Sequence, residues 1–226
     1  MTATLILYGS RARGDSHRNS DVDILLAPDD GQIGRPKKLD GLSLHIYPKN
    51  WLLENARRGD LFTYHIASEG VSINCADAFL ISLREHFHWK ASYQKEREIA
   101  LAILTLVSRT SWGWNDLIQR RFFWAIRTLA LSLQADEKSV NFSLASIDEA
   151  IGLDGFSELF ENRDKVTHKH CVAMGDRLLN QYSQFKSTPS EEISAMLLSL
   201  GGIGSNTVMV LETEQALDAG SLATYL

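Results

Sequence analysis

The 226-residue chain has the composition of a soluble globular protein, with 44% hydrophobic and 23% charged residues. A chain of this length forms one large domain or two small ones. Its net charge of −5 argues against a protein that holds nucleic acid by general electrostatics.

Three features of the composition concern location. No apolar run is long enough to cross a membrane, and the N-terminus lacks the basic region of a signal peptide. Two cysteines, Cys75 and Cys171, lie far apart in the sequence and fit a reducing compartment. We therefore expect a cytoplasmic protein.

Residues 5–26 have the pattern of a strand, a tight turn, a short helix, a loop and a second strand. Residues 5–8 form a short apolar run typical of a strand, which ends at Gly9. Gly9 and Ser10 predict a turn where backbone can approach a ligand closely, with Ser10 placed to cap the following helical turn. Free N–H groups at such a helix start suit a phosphate.

Two aspartates, Asp21 and Asp23, lie at the start of the second strand. Side chains alternate along a strand, so the two acids share one face and Val22, Ile24 and Leu26 share the other. Carboxylates about 6–7 Å apart on one face repel each other unless a cation lies between them. Magnesium takes oxygen ligands and keeps phosphates in its coordination shell, so the pattern predicts a magnesium–phosphate site.

Residues 9–14 (GSRARG) and 20–23 (SDVD) resemble the GS-x-ARG…SD-x-D signature of the DNA polymerase β nucleotidyltransferase superfamily. The resemblance is greatest to the minimal nucleotidyltransferase branch and covers about the first third of the chain. It implies an α+β nucleotidyltransferase fold, a small mixed sheet with helices on one face. It also implies an NTP substrate, ATP or another, with Mg²⁺ or Mn²⁺ held by the catalytic residues Asp21 and Asp23. The nucleotide-binding residues would be Gly9, Ser10, Arg11 and Arg13.

The third carboxylate of the superfamily has no evident counterpart. Residues 42–47 alternate as a strand, but their polar face carries Ser43, His45 and Tyr47. Three interpretations are open. His45 replaces the acid as a general base, since its ordinary pKa of about 6.5 suits that role. Alternatively, an acid comes from a loop: Asp40 (if Gly41 forms a bulge), Asp60 or Glu69. In the third interpretation the domain is a catalytically degenerate interaction module.

The remaining pattern divides the chain in two. We predict a nucleotidyltransferase domain over residues 1–76, with a loop at residues 28–39 and short β-like runs at residues 61–66 and 70–73. From Asp77, which is predicted to be an N-cap, the apolar period becomes helical, so residues 77–226 are predicted to form an all-α domain. Its later helices are predicted at residues 143–151, about 155–182, 190–200 and 207–217.

Arg163 and His168 have the R-x4-H spacing of HEPN helical domains, ribonucleases often found beside minimal nucleotidyltransferases. The resemblance implies a HEPN-like bundle to about residue 187, metal-independent action on RNA, and a homodimer. The motif is short, however, and Arg11 and His17 fit a related spacing by chance. An exposed arginine and histidine on an amphipathic helix is the favoured interpretation.

The resemblance to nucleotidyltransferases implies transfer of a nucleoside monophosphate, first of all AMP from ATP, to a hydroxyl acceptor. Such domains modify proteins, including HEPN toxins of toxin–antitoxin pairs, small molecules such as aminoglycosides, or RNA ends. The acidic charge favours a protein or small molecule over RNA. Two alternatives stand beside this function: a nucleotide-binding or antitoxin-type interaction module without catalysis, and a HEPN-like ribonuclease that uses Arg163 and His168.

Overall fold

The computed structural model describes residues 3–18, 20–74, 78–109, 116–182 and 185–218. The chain divides into two compact units, Met1–Ala91 and Ser92–Leu226, called here the N-terminal unit and the helical unit. Within the described residues, no helix combines the length and the apolar character needed to cross a membrane.

A five-stranded mixed sheet is the frame of the N-terminal unit. The elements are β1 (Ala3–Tyr8), α1 (Ser10–Arg13), β2 (Val22–Pro28), β3 (Gly34–Leu39), β4 (Leu42–Ile46), α2 (Lys49–Arg57), α3 (Leu61–Glu69), β5 (Val71–Ser72) and α4 (Ala78–His86). The strand order is β3-β4-β2-β1-β5. Strand β1 is antiparallel to β2 and β5, β2 is parallel to β4, and β4 is antiparallel to β3.

Helices cover one face of this sheet. Alternate residues of β1 and β2 on that face are fully buried, among them Ile6 and Leu25. They form a single apolar cluster with Leu52 and Ala56 of α2, Ile66 and Ala67 of α3, and Leu80 and Leu83 of α4. The opposite face carries Leu5, Leu7, Ile24 and Leu26, which are only half-buried. The predicted α+β fold, with helices on one face of a mixed sheet, is confirmed.

Two local predictions in this unit are wrong. The segment predicted as a loop, residues 28–39, contains strand β3, which pairs with β4 through a tight turn at Asp40-Gly41. Pro36 lowers the strand signal, but an edge strand tolerates a proline, and the register shifts between Gly34 and Lys37. The β-like run at residues 61–66 is part of helix α3. Asp60 caps this helix by accepting a hydrogen bond from the Thr63 N–H at 2.9 Å.

The compact N-terminal unit extends beyond the domain boundary predicted at residues 76 and 77. Helix α4 belongs to it, because Leu80 and Leu83 pack into the same core as α2 and α3. Residues 75–77, and with them Cys75 and the predicted N-cap Asp77, lie outside the described residues. The position of the boundary stays a prediction.

The helical unit is all-α over its described residues, as predicted. Its elements are α5 (Gln94–Ser108), α6 (Asp116–Asp136), α7 (Leu144–Ile151), α8 (Phe156–Glu161), a 3-10 helix (Arg163–Lys165), α9 (His168–Tyr182), α10 (Ser190–Leu200) and α11 (Gly202–Asp218). Helix α5 is buried along Ala100–Ser108 and packs against α6 and α9. Cys171 of α9 is buried with a free thiol, and burial raises its pKa to about 12.

The helix predicted at about residues 155–182 is interrupted. Helix α8 ends at Glu161, a 3-10 helix follows, and α9 begins at His168. The backbone at Val166 is extended, with φ −74° and ψ 130°, so the helical hydrogen bonds cannot continue through it. Arg163 and His168 therefore lie on two separate helical segments. The prediction that one amphipathic helix carries both residues is wrong.

The crossing of α5 and α9 depends on the missing side chain of Gly175. A Cβ atom there would lie 2.2 Å from Ser108 Oγ, a buried hydroxyl that has no hydrogen-bond partner. We expect Gly175→Ala to lower the free energy of unfolding by about 1 to 3 kcal/mol through overpacking. The double variant Gly175→Ala with Ser108→Ala should recover most of this loss, since the clashing oxygen is removed. Denaturant unfolding of Gly175→Ala, Ser108→Ala and the double variant measures the coupling, and additive losses would contradict the expectation.

Candidate functional site

The GSRARG motif forms a single helical turn between two glycines with positive φ. Gly9 ends β1 with φ 76° and ψ −158°, and Gly14 closes the turn with φ 82°. The N–H groups of Ala12 and Arg13 both donate to the Gly9 carbonyl oxygen at 3.0 Å. Ser10 is the first residue of α1 and makes no side-chain cap, so the predicted capping role of Ser10 is wrong. Glycine is required at both ends because other residues rarely adopt these conformations.

The backbone of this turn lies directly against Asp23. Strands β1 and β2 pair so that Tyr8 lies opposite Asp23. A Cβ atom on Gly9 would be 2.9 Å from Asp23 Oδ2, closer than real side chains approach. Gly9 therefore brings main chain, with no side chain between, to the carboxylate that the sequence singles out.

Asp21 and Asp23 are positioned by the start of β2. Asp21 immediately precedes the strand, Asp23 is its second residue, and both are half-buried. Strand alternation places them toward the face that the helices cover. In the parallel pairing of β2 with β4, Asp23 lies opposite Ser43, which is 5% exposed.

His45 of β4 is on the same face, two residues beyond Ser43. Its Nδ1 atom is hydrogen-bonded to the hydroxyl group of Tyr8. Tyr8 as a whole residue is only 4% exposed. Phe62 of α3 meets both rings edge-on, with centroids 6.0 Å from Tyr8 and 6.3 Å from His45. Tyr47 stacks on the His45 ring at 6.4 Å. His45 is thus held in one orientation by an aromatic group of residues.

Of the three acids proposed as substitutes, one is exposed in a turn and two have other partners. Asp40 is exposed in the turn between β3 and β4 and forms no bulge within β4. Asp60 caps α3. Glu69 Oε2 accepts from Arg13 at 2.7 Å and lies 2.8 Å from His65 Nε2. Within the described ranges, no three side chains of His, Cys, Asp or Glu gather closely enough to hold a metal ion. His45 therefore does not form a three-ligand set with Asp21 and Asp23.

Both arginines of the motif hydrogen-bond to neighbouring parts of the N-terminal unit. Arg11 donates to the carbonyl oxygen of Ser20 at 2.8 Å, just before Asp21. Arg13 donates to Asp15 at 3.0 Å and to Glu69 at 2.7 Å. Burial alone would lower the pKa of Arg13, but its hydrogen bonds to the two carboxylates raise it overall. The predicted nucleotide contacts of Arg11 and Arg13 stay predictions.

Sequence reasoning missed two members of this site, Tyr8 and His65. Tyr8 directly precedes the motif, and its place opposite Asp23 follows from the β1–β2 register. His65 lies in the segment mistaken for a strand, and its ring meets the Tyr8 ring edge-on at 5.4 Å. The only sequence signal for Tyr8 was a polar aromatic residue at the end of an apolar strand.

The residues of the predicted ribonuclease motif have local contacts in the helical unit. The Arg163 guanidinium lies 5.0 Å from the Phe160 ring centroid. The backbone carbonyl oxygen of Arg163 accepts a hydrogen bond from the Gln119 side chain at 2.8 Å. His168 is half-buried at the start of α9. Their joint action on RNA stays a prediction.

We expect the Arg13–Glu69 ion pair to stabilise the N-terminal unit, because it joins the α1 turn to α3. The two side chains are 18% and 12% exposed. Glu69→Gln should lower the free energy of unfolding by about 1.5 to 3 kcal/mol. The matched control is Glu54→Gln, which removes an ion pair to Arg58 whose side chains are 60% and 70% exposed and should change stability by less than about 0.5 kcal/mol. Equal effects of both variants in urea unfolding would contradict this role of Glu69.

Comparison with known proteins agrees with this geometry. Residues 2–68 match the family model described as a nucleotidyltransferase domain. The matched segment runs from β1 through nearly all of α3 and includes both aspartates, His45 and the glycine turn. No curated protein matches the chain. The N-terminal part of this protein is a nucleotidyltransferase domain, consistent with the DNA polymerase β-like nucleotidyltransferases, and an all-helical part follows it.

Proposed function

We propose that the protein transfers a nucleoside monophosphate, first of all AMP from ATP, to a hydroxyl group of a protein or small molecule. The observation that carries the proposal is the close approach of the Gly9 backbone to Asp23, which leaves no room for a Cβ atom, in a segment that matches the nucleotidyltransferase family. A glycine turn of this kind leaves room for a phosphate group beside a carboxylate that can share a cation with it.

The residues present fit a magnesium ion as the cofactor. Asp21 and Asp23 offer hard carboxylate oxygens two residues apart at the start of β2, the donor chemistry that Mg²⁺ prefers, and Mn²⁺ accepts the same ligands. When bound, the ion would offset negative charge on the phosphates of the nucleotide. Asp21 and Asp23 would hold it, while Gly9 and Ser10 would line the place of the terminal phosphates.

In the transfer, the acceptor hydroxyl oxygen forms a bond to the α-phosphorus of the nucleotide. The bond from that phosphorus to the α–β bridging oxygen breaks, and pyrophosphate leaves with the electron pair. The hydroxyl proton must pass to a base of the site, and Asp23 and His45 are the two candidates. The net acidic charge of the chain favours a protein or small-molecule acceptor over RNA.

A binding module without catalysis, of the antitoxin type, is the second candidate. It is favoured by the lack of a three-ligand metal cluster among the described residues and by the engagement of His45 with Tyr8. The ribonuclease alternative gains no support, since Arg163 and His168 lie on separate helical segments.

Label transfer from α-labelled nucleotides distinguishes these candidates. The protein is incubated with each α-labelled NTP, Mg²⁺ or Mn²⁺, and a cell lysate. We expect label from ATP on a protein or small molecule, and a fall of about 100-fold or more in Asp21→Asn with Asp23→Asn. Asp30→Asn, an exposed acid beyond β2, is the control and should keep full transfer. Transfer that survives the double variant would overturn the proposal, and nucleotide binding without transfer would favour the module.

Gly9→Ala should reduce transfer far more than Gly14→Ala. Gly14 (φ 82°, ψ 11°) has the left-handed helical conformation, where alanine costs about 1 to 2 kcal/mol, whereas Gly9 (φ 76°, ψ −158°) lies in a region that is essentially restricted to glycine. Only a Cβ on Gly9 meets Asp23, whereas a Cβ on Gly14 has nothing within 4 Å. We expect Gly9→Ala to lose more stability than Gly14→Ala and, at equal concentrations of folded protein, to lose at least tenfold more transfer rate. The proposed role of Gly9 is contradicted if rate and stability fall equally in the two variants.

A further inference from the structure

The Tyr8 side chain extends from β1 across the central strand β2 to β4. Strand β2 lies between β1 and β4, yet the hydroxyl group of Tyr8 on β1 reaches Nδ1 of His45 on β4. Tyr8 is opposite Asp23 and His45 is opposite Leu25, so the Tyr8 ring passes over β2 beside Asp23. Phe62 and His65 of α3 meet this ring edge-on and fix its position.

The Tyr8 hydroxyl group is the donor in the Tyr8–His45 hydrogen bond, because the phenol keeps its proton. Tyr8 is almost fully buried, and burial, with the nearby charge of Asp23 and then Tyr47, raises its pKa, so the phenol keeps its proton. A buried phenol hydroxyl needs an acceptor, and His45 Nδ1 is in hydrogen-bonding contact with it. A ring nitrogen that accepts carries no hydrogen, so the neutral His45 ring has its proton on Nε2.

We propose that Tyr8 is a positioning residue that fixes His45 as an Nε2–H donor, and that His45 gives this hydrogen bond to an anionic phosphate oxygen of the bound nucleotide. The inference rests on the proposed function. In this tautomer His45 has no lone pair on Nε2 and does not take the acceptor's proton. The proton of the acceptor hydroxyl therefore passes to a base other than His45.

The donor role explains how a histidine can stand where the superfamily has an acid. Two aspartates and a triphosphate bring negative charge to this face of the sheet, and an N–H donor offsets some of it whereas a third acid would add to it. His45 is half-buried, and Tyr8, Phe62 and Tyr47 contact its ring.

The first test is the tautomer itself, measured on the full-length chain with ¹⁵N-labelled histidine. The ring signals of His45 are assigned, among seven histidines, by their loss in His45→Gln. We expect the Nε2–H tautomer in the wild-type protein at neutral pH and a mixture of tautomers in Tyr8→Phe. Tyr64→Phe is the control, since Tyr64 packs on Phe87 and Trp89. A wild-type ring protonated on Nδ1 overturns the proposal whether or not the protein transfers nucleotides.

The second test separates a donor from a base. The side-chain amide of glutamine places an N–H near the position of histidine Nε2 but cannot accept a proton at neutral pH. We expect His45→Gln to keep transfer within about tenfold of the wild type, and His45→Ala to lose about 100-fold. Tyr8→Phe should lose about tenfold, while Tyr64→Phe keeps the wild-type rate.

Equal loss in His45→Gln and His45→Ala would show that His45 is the base and would overturn the donor role. If no transfer is found at all, affinity for a non-hydrolysable ATP analogue replaces the rate. The donor role then predicts weaker binding in His45→Ala than in His45→Gln, so its failure is distinguishable from failure of the proposed function. Circular dichroism and thermal unfolding of each variant confirm that the fold is kept.

Discussion

The site depends on one close approach, that of the Gly9 main chain to the Asp23 carboxylate. Two features produce it: the antiparallel pairing that puts Tyr8 opposite Asp23, and a backbone conformation at Gly9 that side chains disfavour. A strand slipped by one residue would turn Asp23 to the other face of the sheet. The buried residues Ile6 and Leu25 share that register, so the apolar core fixes the geometry of the site.

A chain of polar and aromatic contacts then joins the motif to α3. Arg13 reaches Glu69, Glu69 lies against His65, His65 meets the Tyr8 ring, and Tyr8 bonds His45. Each of these side chains sits on a regular element or the short α1 turn, and most are largely buried. Sites supported in this way hold their reacting groups more accurately than sites on loops. Helix α3 thus supports the candidate site, although its sequence contains no catalytic motif.

His45 marks the departure of this domain from its family. A third acid beside Asp21 and Asp23 would add negative charge to the face where we propose that a triphosphate binds. In our proposal, a histidine held at Nδ1 by a buried phenol would supply a hydrogen-bond donor there instead. In the transfer that we propose, the two aspartates would hold the cation and the imidazole N–H would offset charge on the phosphates.

The sequence by itself determined the motif and the class of fold. Fixed residues at fixed spacing, GSRARG and SDVD, act through local backbone geometry, and the strand–turn–helix–strand pattern they predict is the one observed. The helices with the clearest signals were also predictable, such as α10 at Ser190–Leu200. Only the tertiary structure decided the contacts between distant segments. Strand β3 exists because β4 pairs with it, and residues 61–66 form a helix because Asp60 caps them and Ile66 and Ala67 reach the core. The Tyr8–His45 bond and the Arg13–Glu69 pair join residues 37 and 56 positions apart, and no local pattern specifies which distant partner a side chain meets.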